Sequence, residues 1–344
     1  MCDFRVACLP LVAAGYNYKE MNDLSKDAVN RLAVDEAGDG QRVDNFLVRV
    51  LKGVPKSHIY RILRSGEVRV NGKRVQPDAR LVSGDILRIP PIRTAAPSTN
   101  VPKGVARPIK VPILFEDDAL IAIDKPSGLA VHGGSGISFG LIEQLRASRP
   151  DAKFLELVHR LDRDTSGVIL IAKKRAALLA MHAALRDGDV EKRYLVLVRG
   201  PWRDAKREVN LPLYKFLTGD GERRVRVEHA QGKNARTVFY RREAWPHAVP
   251  PLTLLEAELH TGRTHQIRVH LTHLGFPLAG DDKYGDFAWN KKLASGGLRR
   301  MFLHAWRLAL RHPTDSRPLA FEAPLPPDLA DYVARLDAVS ADVA

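Results

Sequence analysis

Two periodicities organise this chain. From Gln41 onward, Val43, Phe46, Leu47, Val50 and Leu51 fall at helical spacing, which predicts a helix stopped by Gly53. Ser57 can cap a second short helix that carries Ile59, Ile62 and Leu63 and ends at Gly66. The period then switches to two. Val68-Arg69-Val70 and Lys73-Arg74-Val75 flank Asn71-Gly72, a strong hairpin signal, and Leu81 to Ile89 supplies a further strand around the Ser83-Gly84-Asp85 turn. Past residue 110 the pattern predicts a hairpin over Leu114–Ile123 across Asp117-Asp118 and a buried strand at Val168-Ile169-Leu170-Ile171. A helix over Ala176–Leu185 ends near Gly188, and strands follow at Tyr194–Val198 and Leu252–Leu259. Ile267, Leu271 and Leu274 put one face of a helix over His265–Leu274 toward the core, and Gly275 closes it. Residues 1–40 have no sustained period and read as a flexible extension. Residues 91–110, with Pro91, Pro97, Pro102 and Pro108, four basic residues and no acid, read as a linker. The expected organisation is therefore a small module at 41–90, a large body at 111–330 and a tail at 331–344.

Charge narrows the partner. The 54 Lys and Arg against 40 Asp and Glu give a net charge of +14, and residues 41–90 alone hold 11 basic and 4 acidic residues, a net +7. Such an excess in one small module points to a polyanion, with RNA or DNA the leading candidates. The only cysteines, Cys2 and Cys8, lie at the N-terminus, so the body offers no disulfide framework, no Cys-based zinc site and no thiol nucleophile. That fits a reducing cytoplasm. No apolar run is long enough to span a membrane. Ala7–Gly15 is a poor signal segment because Pro10 interrupts it. Met21 opens a more usual polar leader, so residues 1–20 read as an over-extended start.

The most informative stretch is His159-Arg160-Leu161-Asp162-Arg163-Asp164-Thr165-Ser166-Gly167. It packs charge between Leu155, Leu157 and Val158 on one side and the buried strand at 168–171 on the other. Charges at the entry to a core must be paired or serve chemistry. Asp162, between two arginines, is the first candidate, and Asp164 is expected to bond the amides of the Thr165-Ser166-Gly167 turn. A two-carboxylate glycosidase is disfavoured because Asp162 and Asp164 stand too close in sequence. No elbow motif makes Ser166 a nucleophile, and Gly133-Gly134-Ser135-Gly136 lacks the lysine and spacing of a phosphate loop. His265, His270 and His273 match no zinc pattern, so neither a metal nor a cofactor is expected. Tyr194 sits at the mouth of its strand, and Arg268 is displaced from the apolar stripe of its helix.

These motifs together carry a family resemblance. His159–Gly167, the Lys192-Arg193-Tyr194 strand and Gly262–His270 resemble the RluA-type pseudouridine synthases. So do Asp124-Lys125-Pro126-Ser127-Gly128, Ala279–Gly285 and Leu303-His304-Ala305, while residues 41–90 resemble the S4 RNA-binding domain. The resemblance covers about residues 41–330. It implies an α+β protein: a small S4-like domain, then a mixed, mainly antiparallel sheet with flanking helices as the catalytic domain at 111–330.

The resemblance implies conversion of uridine in RNA to its C-glycoside isomer, with no atom gained or lost and hence no cofactor. Asp162 would be the nucleophile, attacking ribose C1′, attacking the base or abstracting a proton to give a glycal. Arg268 would pair with it and Tyr194 would stack on the base and relay a proton. Arg160 would fill the space of the flipped-out base and Leu303 would wall the uracil, with His159 and Arg263 as further substrate contacts. In the S4-like module Lys56, Ser57, Tyr60, Arg61, Arg64, Arg69, Asn71 and Lys73 would face RNA. Val131–Gly136 with Phe139-Gly140, and Phe154–Arg163, resemble the C-type large-subunit subgroup, which modifies several separate uridines in 23S rRNA. The N-terminal extension and the stretch Phe287–Gly297 depart from it. The expected partner is thus 23S rRNA or a large-subunit precursor, met by a cytoplasmic monomer. The alternatives are a synthase for other rRNA or tRNA uridines and a non-catalytic rRNA-binding assembly factor.

Overall fold

A computed structural model describes residues 28–35, 38–51, 54–92, 106–133, 139–219 and 222–341. The chain divides into two compact units, residues 1–103 and 104–344. In the first, strand β1 (Asn30–Ala33) precedes helices α1 (Val43–Val50) and α2 (Lys56–Arg64), the short strands β2 (Arg69–Val70) and β3 (Lys73–Arg74), and β4 (Ile86–Ile89). The sheet order is β1-β4-β2-β3. Phe46, Leu47, Ile59, Ile62, Leu87 and Ile89 form its core, as the helical and alternating periods predicted. Two local expectations change. Pro55, not Ser57, stands at the α2 N-cap, with no side-chain cap bond. Leu81 holds Gln41 by a backbone bond instead of extending a strand, so β4 starts only at Ile86.

The second unit is built on one ten-stranded sheet. In chain order its elements are β5 (Ile113–Glu116), β6 (Leu120–Lys125), α3 (Leu141–Ala147), β7 (Glu156–Leu157), β8 (Ser166–Ala172), α4 (Arg175–Asp187), β9 (Glu191–Arg199) and β10 (Lys206–Asn210). There follow β11 (Leu213–Leu217), β12 (Arg223–Val227), β13 (Arg236–Trp245), β14 (Leu252–Leu259), α5 (Gln266–His273), α6 (Phe287–Ser295), β15 (Leu303–Arg311), β16 (Pro318–Glu322) and α7 (Pro327–Ala341). The sheet order is β10-β13-β14-β9-β15-β8-β6-β5, with β16 on β15 and β7 on β8; β11 and β12 form a separate hairpin. Every pairing in the large sheet is antiparallel except β8 with β15. The mixed, mainly antiparallel architecture is the one expected.

Burial explains why β8 reads as a continuous apolar run. Ile169 and Ile171 pack with α3 and α5 on one face, while Val168 and Leu170 pack with Ala177, Leu178 and Met181 of α4 on the other. A strand covered on both faces has no polar side to alternate.

The outer boundaries move. β1 pairs with β4 and buries Leu32, so the first unit begins before Gln41 and the flexible reading of residues 1–40 fails for its last part. Residues 1–27, including Cys2 and Cys8, lie outside the described residues. So do 93–105 of the expected linker; Ile92 already packs in the first core and Ile109 bonds Ser148 in the second unit. The expected tail is a helix to Ala341. Leu329, Tyr332, Val333 and Leu336 recur at helical spacing and pack on Trp245 and Phe302, and Asp337 accepts a bond from the Trp245 indole at 2.8 Å.

The parallel junction fixes one glycine. His304 registers with Ser166 and Ala305 with Gly167, where φ is 108°. A Cβ on Gly167 would overlap the Ala305 carbonyl oxygen. Left-handed strain and this backbone clash act together. Gly167→Ala should therefore lose about 2–4 kcal/mol of stability, read as a lowered urea midpoint of the second unit. An unchanged midpoint would show that the junction can open without cost.

Candidate active site

The loop between β7 and β8 holds Asp162 at the head of a turn, where Thr165 N–H bonds the Asp162 carbonyl at 3.2 Å. Three side chains fix this loop from behind. The fully buried Lys125 ammonium donates to the carbonyls of Arg163 (3.0 Å), Leu129 (2.8 Å) and Pro126 (2.9 Å), and Ser127 Oγ donates to Asp164 O at 2.7 Å. Arg300 donates to Ser166 Oγ at 2.7 Å, and Ser166 Oγ lies 2.9 Å from His304 Nδ1. His304 Nε2 meets Ala323 O at 3.1 Å. In a chain running Arg300, Ser166, His304, Ala323, the serine hydroxyl and both imidazole nitrogens are satisfied if the serine donates to Nδ1.

In front of the loop lies a cleft of about 440 Å³, ordinary for a small-ligand site. It brings Asp162 together with Tyr194 of β9, Arg268 of α5, Leu303 of β15, His159, Arg160 and Arg263. Of the residues expected in one site, all seven share this cleft. Their environments differ. Arg160 and Arg163 are exposed, and Arg163 pairs with Asp164 at 3.1 Å. Two expectations are therefore corrected: Asp162 is not held between its neighbouring arginines, and the Asp164 carboxylate serves Arg163 instead of turn amides. The adjacent guanidinium is the nearer and stronger partner. His159 Nε2 accepts from Leu170 N–H at 3.2 Å, so that ring nitrogen holds the loop to β8.

The arginine beside Asp162 is Arg268, with Nη1 at 3.5 Å from Oδ2. It is 5% exposed, it points into the cleft, and it is oriented by Asp281, which is fully buried. Nε and Nη2 donate to the two Asp281 oxygens at 2.7 and 2.6 Å, and Lys283 and Tyr284 N–H groups bond the same carboxylate at 2.8 and 2.9 Å. Burial works against both charges, but their mutual bidentate bond outweighs it, holding Arg268 above and Asp281 below their ordinary pKa. Sequence reasoning quoted the Ala279–Gly285 motif without seeing this role. An acid within a short buried motif was the available signal.

His265 also faces Asp162, at 3.7 Å, from an N-cap with φ of 54°. Backbone strain of this kind gathers at functional sites. Its Nδ1 lies 2.7 Å from Tyr284 Oη, which itself accepts from Val225 N–H at 3.0 Å. Tyr284 then donates to Nδ1, leaving Nε2–H toward Asp162. Burial brings the His265 pKa down to about 4, so the ring is neutral near pH 7. His270 is elsewhere, buried between Thr237 Oγ1 and Leu211 O. Burial, then the Asp162 charge, raises the pKa of the buried Tyr194 phenol, which stays protonated. Lys192, two residues before it, lines the cleft as well and was missed.

Beyond the cleft, Gly262, Arg263 and Thr264 are shared with a second cavity lined by Tyr214, Lys215 and Lys233 on the β11–β12 side. Burial lowers the Lys215 pKa, and Arg160, Lys233, Arg263 and Arg223 lower it further, so these cations share one field. In the first unit, Ser57, Tyr60, Arg61 and Arg64 line a groove, and Lys56, Arg69 and Lys73 are exposed. Asn71 differs: its amide bonds Ile86 N–H at 2.9 Å and Asp85 at 2.7 Å, holding the hairpin. Tyr60 Oη likewise donates to Asp44 at 2.9 Å.

An S4 unit followed in the chain by a mixed-sheet unit whose cleft assembles these motifs is the organisation of a pseudouridine synthase. The RNA pseudouridylate synthase family matches residues 119–273 and the S4 domain family residues 41–87. The chain belongs to the RluA-type pseudouridine synthases, which are isomerases. Among its relatives is the ribosomal large subunit pseudouridine synthase C of Pasteurella multocida, 49% identical over 93% of this chain and 98% of that protein. The protein of the same name from Escherichia coli K12 is 52% identical over 86% and 92%. Among solved structures, human RNA pseudouridylate synthase domain containing 1 is similar over 69% of this chain and 97% of its own, with 25% identity and a TM-score of 0.53. No helix among the described residues is long and apolar enough to cross a membrane.

Two outcomes test this geometry. Asp281→Asn removes one partner of a buried ion pair, so stability should drop by about 3–5 kcal/mol and turnover should fall with it; urea unfolding and pseudouridine formation measure the two. Burial also holds His159 and His304 near pKa 4, like His265. Unfolded imidazoles bind protons near pH 6.5, so between 6.5 and 4 the unfolded chain binds more protons and acidification destabilises the fold. The Tm should fall from pH 7 to pH 5, and fall less in His304→Gln; an equal fall in both would remove His304 as a contributor.

Proposed function

We propose that this chain isomerises uridine to pseudouridine at several separate positions of 23S rRNA, with Asp162 as the attacking carboxylate. The observation that carries the reading is the convergence of Asp162, Arg268 and Tyr194 in one cleft, with Arg268 held on target by Asp281. The large-subunit substrate is taken from the names of the relatives that align over most of the chain. The reaction breaks the N-glycosidic bond, turns the uracil and rejoins it through C5 to the same ribose. Atoms balance without an oxidant, a reductant or a second substrate.

A stacked base must first leave its helix, at a cost of a few kcal/mol. Arg160 is exposed at the cleft rim and has the reach to occupy the vacated stack. The extruded uracil then lies between the Tyr194 ring and the buried Leu303 side chain. Arg268 supplies the positive charge beside Asp162 while the carboxylate attacks C1′, attacks the base or removes a proton to form a glycal. Tyr194, a protonated phenol, is placed to move a proton at the base. Arg263 and the exposed cations of the S4 unit hold phosphates, which fix orientation without reading sequence.

Pseudouridine mapping of total RNA from a strain lacking the gene tests this reading. Wild type should restore specific 23S positions, and Asp162→Ala should lower the rate at least a thousandfold, an order-of-magnitude expectation for a lost nucleophile. Restoration by Asp162→Ala would refute the role of Asp162. Loss confined to tRNA or small-subunit rRNA would replace the substrate.

A further inference from the structure

Lys192 is the one cation lining the cleft wall that is both buried and, among the described residues, without a hydrogen-bond or ion-pair partner. It is 8% exposed, against 5% for Arg268, whose charge is met by Asp281 and Asp162. Its position follows from β9. Lys192, Tyr194, Val196 and Val198 alternate inward, so Lys192 lies on the face of Tyr194, about 7 Å along the strand. His159, Leu185 and Arg186 line the same cleft. None of these supplies an anion, and the nearness of Lys192 instead lowers the His159 pKa.

A largely desolvated ammonium without an anion beside it is costly, and burial accordingly lowers the pKa of Lys192. A polar neutral group compensates such a charge poorly, whereas an anion compensates it well. The cost is tolerable if the anion arrives with the substrate. A residue of this kind would add nothing to the free fold, and its removal would not weaken it.

We propose that Lys192 is a substrate-binding residue that holds a phosphodiester oxygen of the RNA strand flanking the extruded uridine. The inference rests on the reading of the cleft as the site of uridine isomerisation. The ammonium is a compact point charge, suited to a phosphate oxygen approached from one side. Its distance from Tyr194 suits a group one sugar away from the stacked base. By meeting the backbone, Lys192 contributes to binding of any uridine presented there and does not select sequence.

Kinetics of wild type, Lys192→Met and Lys192→Arg on ribosomal RNA from a strain lacking the gene test the proposal, with salt varied from about 50 to 200 mM. Lys192→Met should raise KM about tenfold to a hundredfold, the worth of one charge-assisted contact, with little change in kcat. Its log–log salt dependence should be shallower by about one phosphate contact. Lys192→Arg should recover most of both, and the Tm of Lys192→Met should not fall. Wild-type KM and salt slope in Lys192→Met would overturn the proposal. So would a loss confined to kcat, or a lowered Tm that Arg does not rescue. Binding isotherms on the same RNA read the salt slope whether or not turnover occurs, so a wild type that makes no pseudouridine refutes the substrate reading alone.

Discussion

The buried pair of Arg268 and Asp281 is the interaction on which the cleft depends. It joins α5 to the segment after the Leu278 bridge on β9, and it settles which way a guanidinium points in a place with little water. Two parallel N–H···O bonds leave Arg268 one free edge, and that edge faces Asp162 at 3.5 Å. Backbone amides of Lys283 and Tyr284 complete the Asp281 carboxylate, so the pair is fully bonded and not merely charge-compensated. A buried ion pair seldom adds net stability over apolar packing. Here its benefit is orientation: the guanidinium is fixed beside Asp162 and in the proposed reaction would need no reorganisation.

The same logic governs the loop that carries Asp162. A loop between two strands is free to move unless its carbonyls are taken up. Lys125 takes up Arg163 O, Ser127 takes up Asp164 O, and the Arg300, Ser166, His304 chain ties the start of β8 to β15. Gly167 lets the two strands approach at that point. Among the described residues the Asp162 carboxylate has only looser contacts, Arg268 at 3.5 Å and His265 at 3.7 Å. Rigid support behind and an uncommitted carboxylate in front suit the attacking role proposed for Asp162.

Local signals carried most of the architecture. The Asn71-Gly72 hairpin, the two S4 helices and the doubly buried strand β8 were legible because period and turn chemistry are short-range properties. Which residues gather in the cleft was legible in the sequence, and how they meet there was not. Arg160, Asp162 and Arg163 are adjacent in sequence, yet strand entry sends the arginines to solvent and the aspartate inward. The true partner of Asp162 comes from a helix more than a hundred residues later, and the partner of that arginine from a loop beyond it. Such pairings exist only in the folded sheet. Lys192 was hidden for a different reason: a basic residue in a basic chain gives no hint that it is buried. The helix at 327–341 was simply passed over, although its apolar spacing is regular.

Burial therefore sorts the cations of this chain by task. Exposed ones, such as Arg61 and Arg64 in the S4 unit and Arg160 and Arg263 at the cleft, have charges that water and salt screen, so in the proposed reading each would contribute modestly and reversibly to holding a polyanion. Buried ones cannot be spent that way, because each must find a partner inside the fold. Lys125 finds three carbonyls and Arg268 finds three carboxylates, those of Asp281, Asp162 and the exposed Asp282. Both thereby become structural members of the site. Among the described residues Lys192 finds neither, and that exception is what the proposed phosphate contact would use.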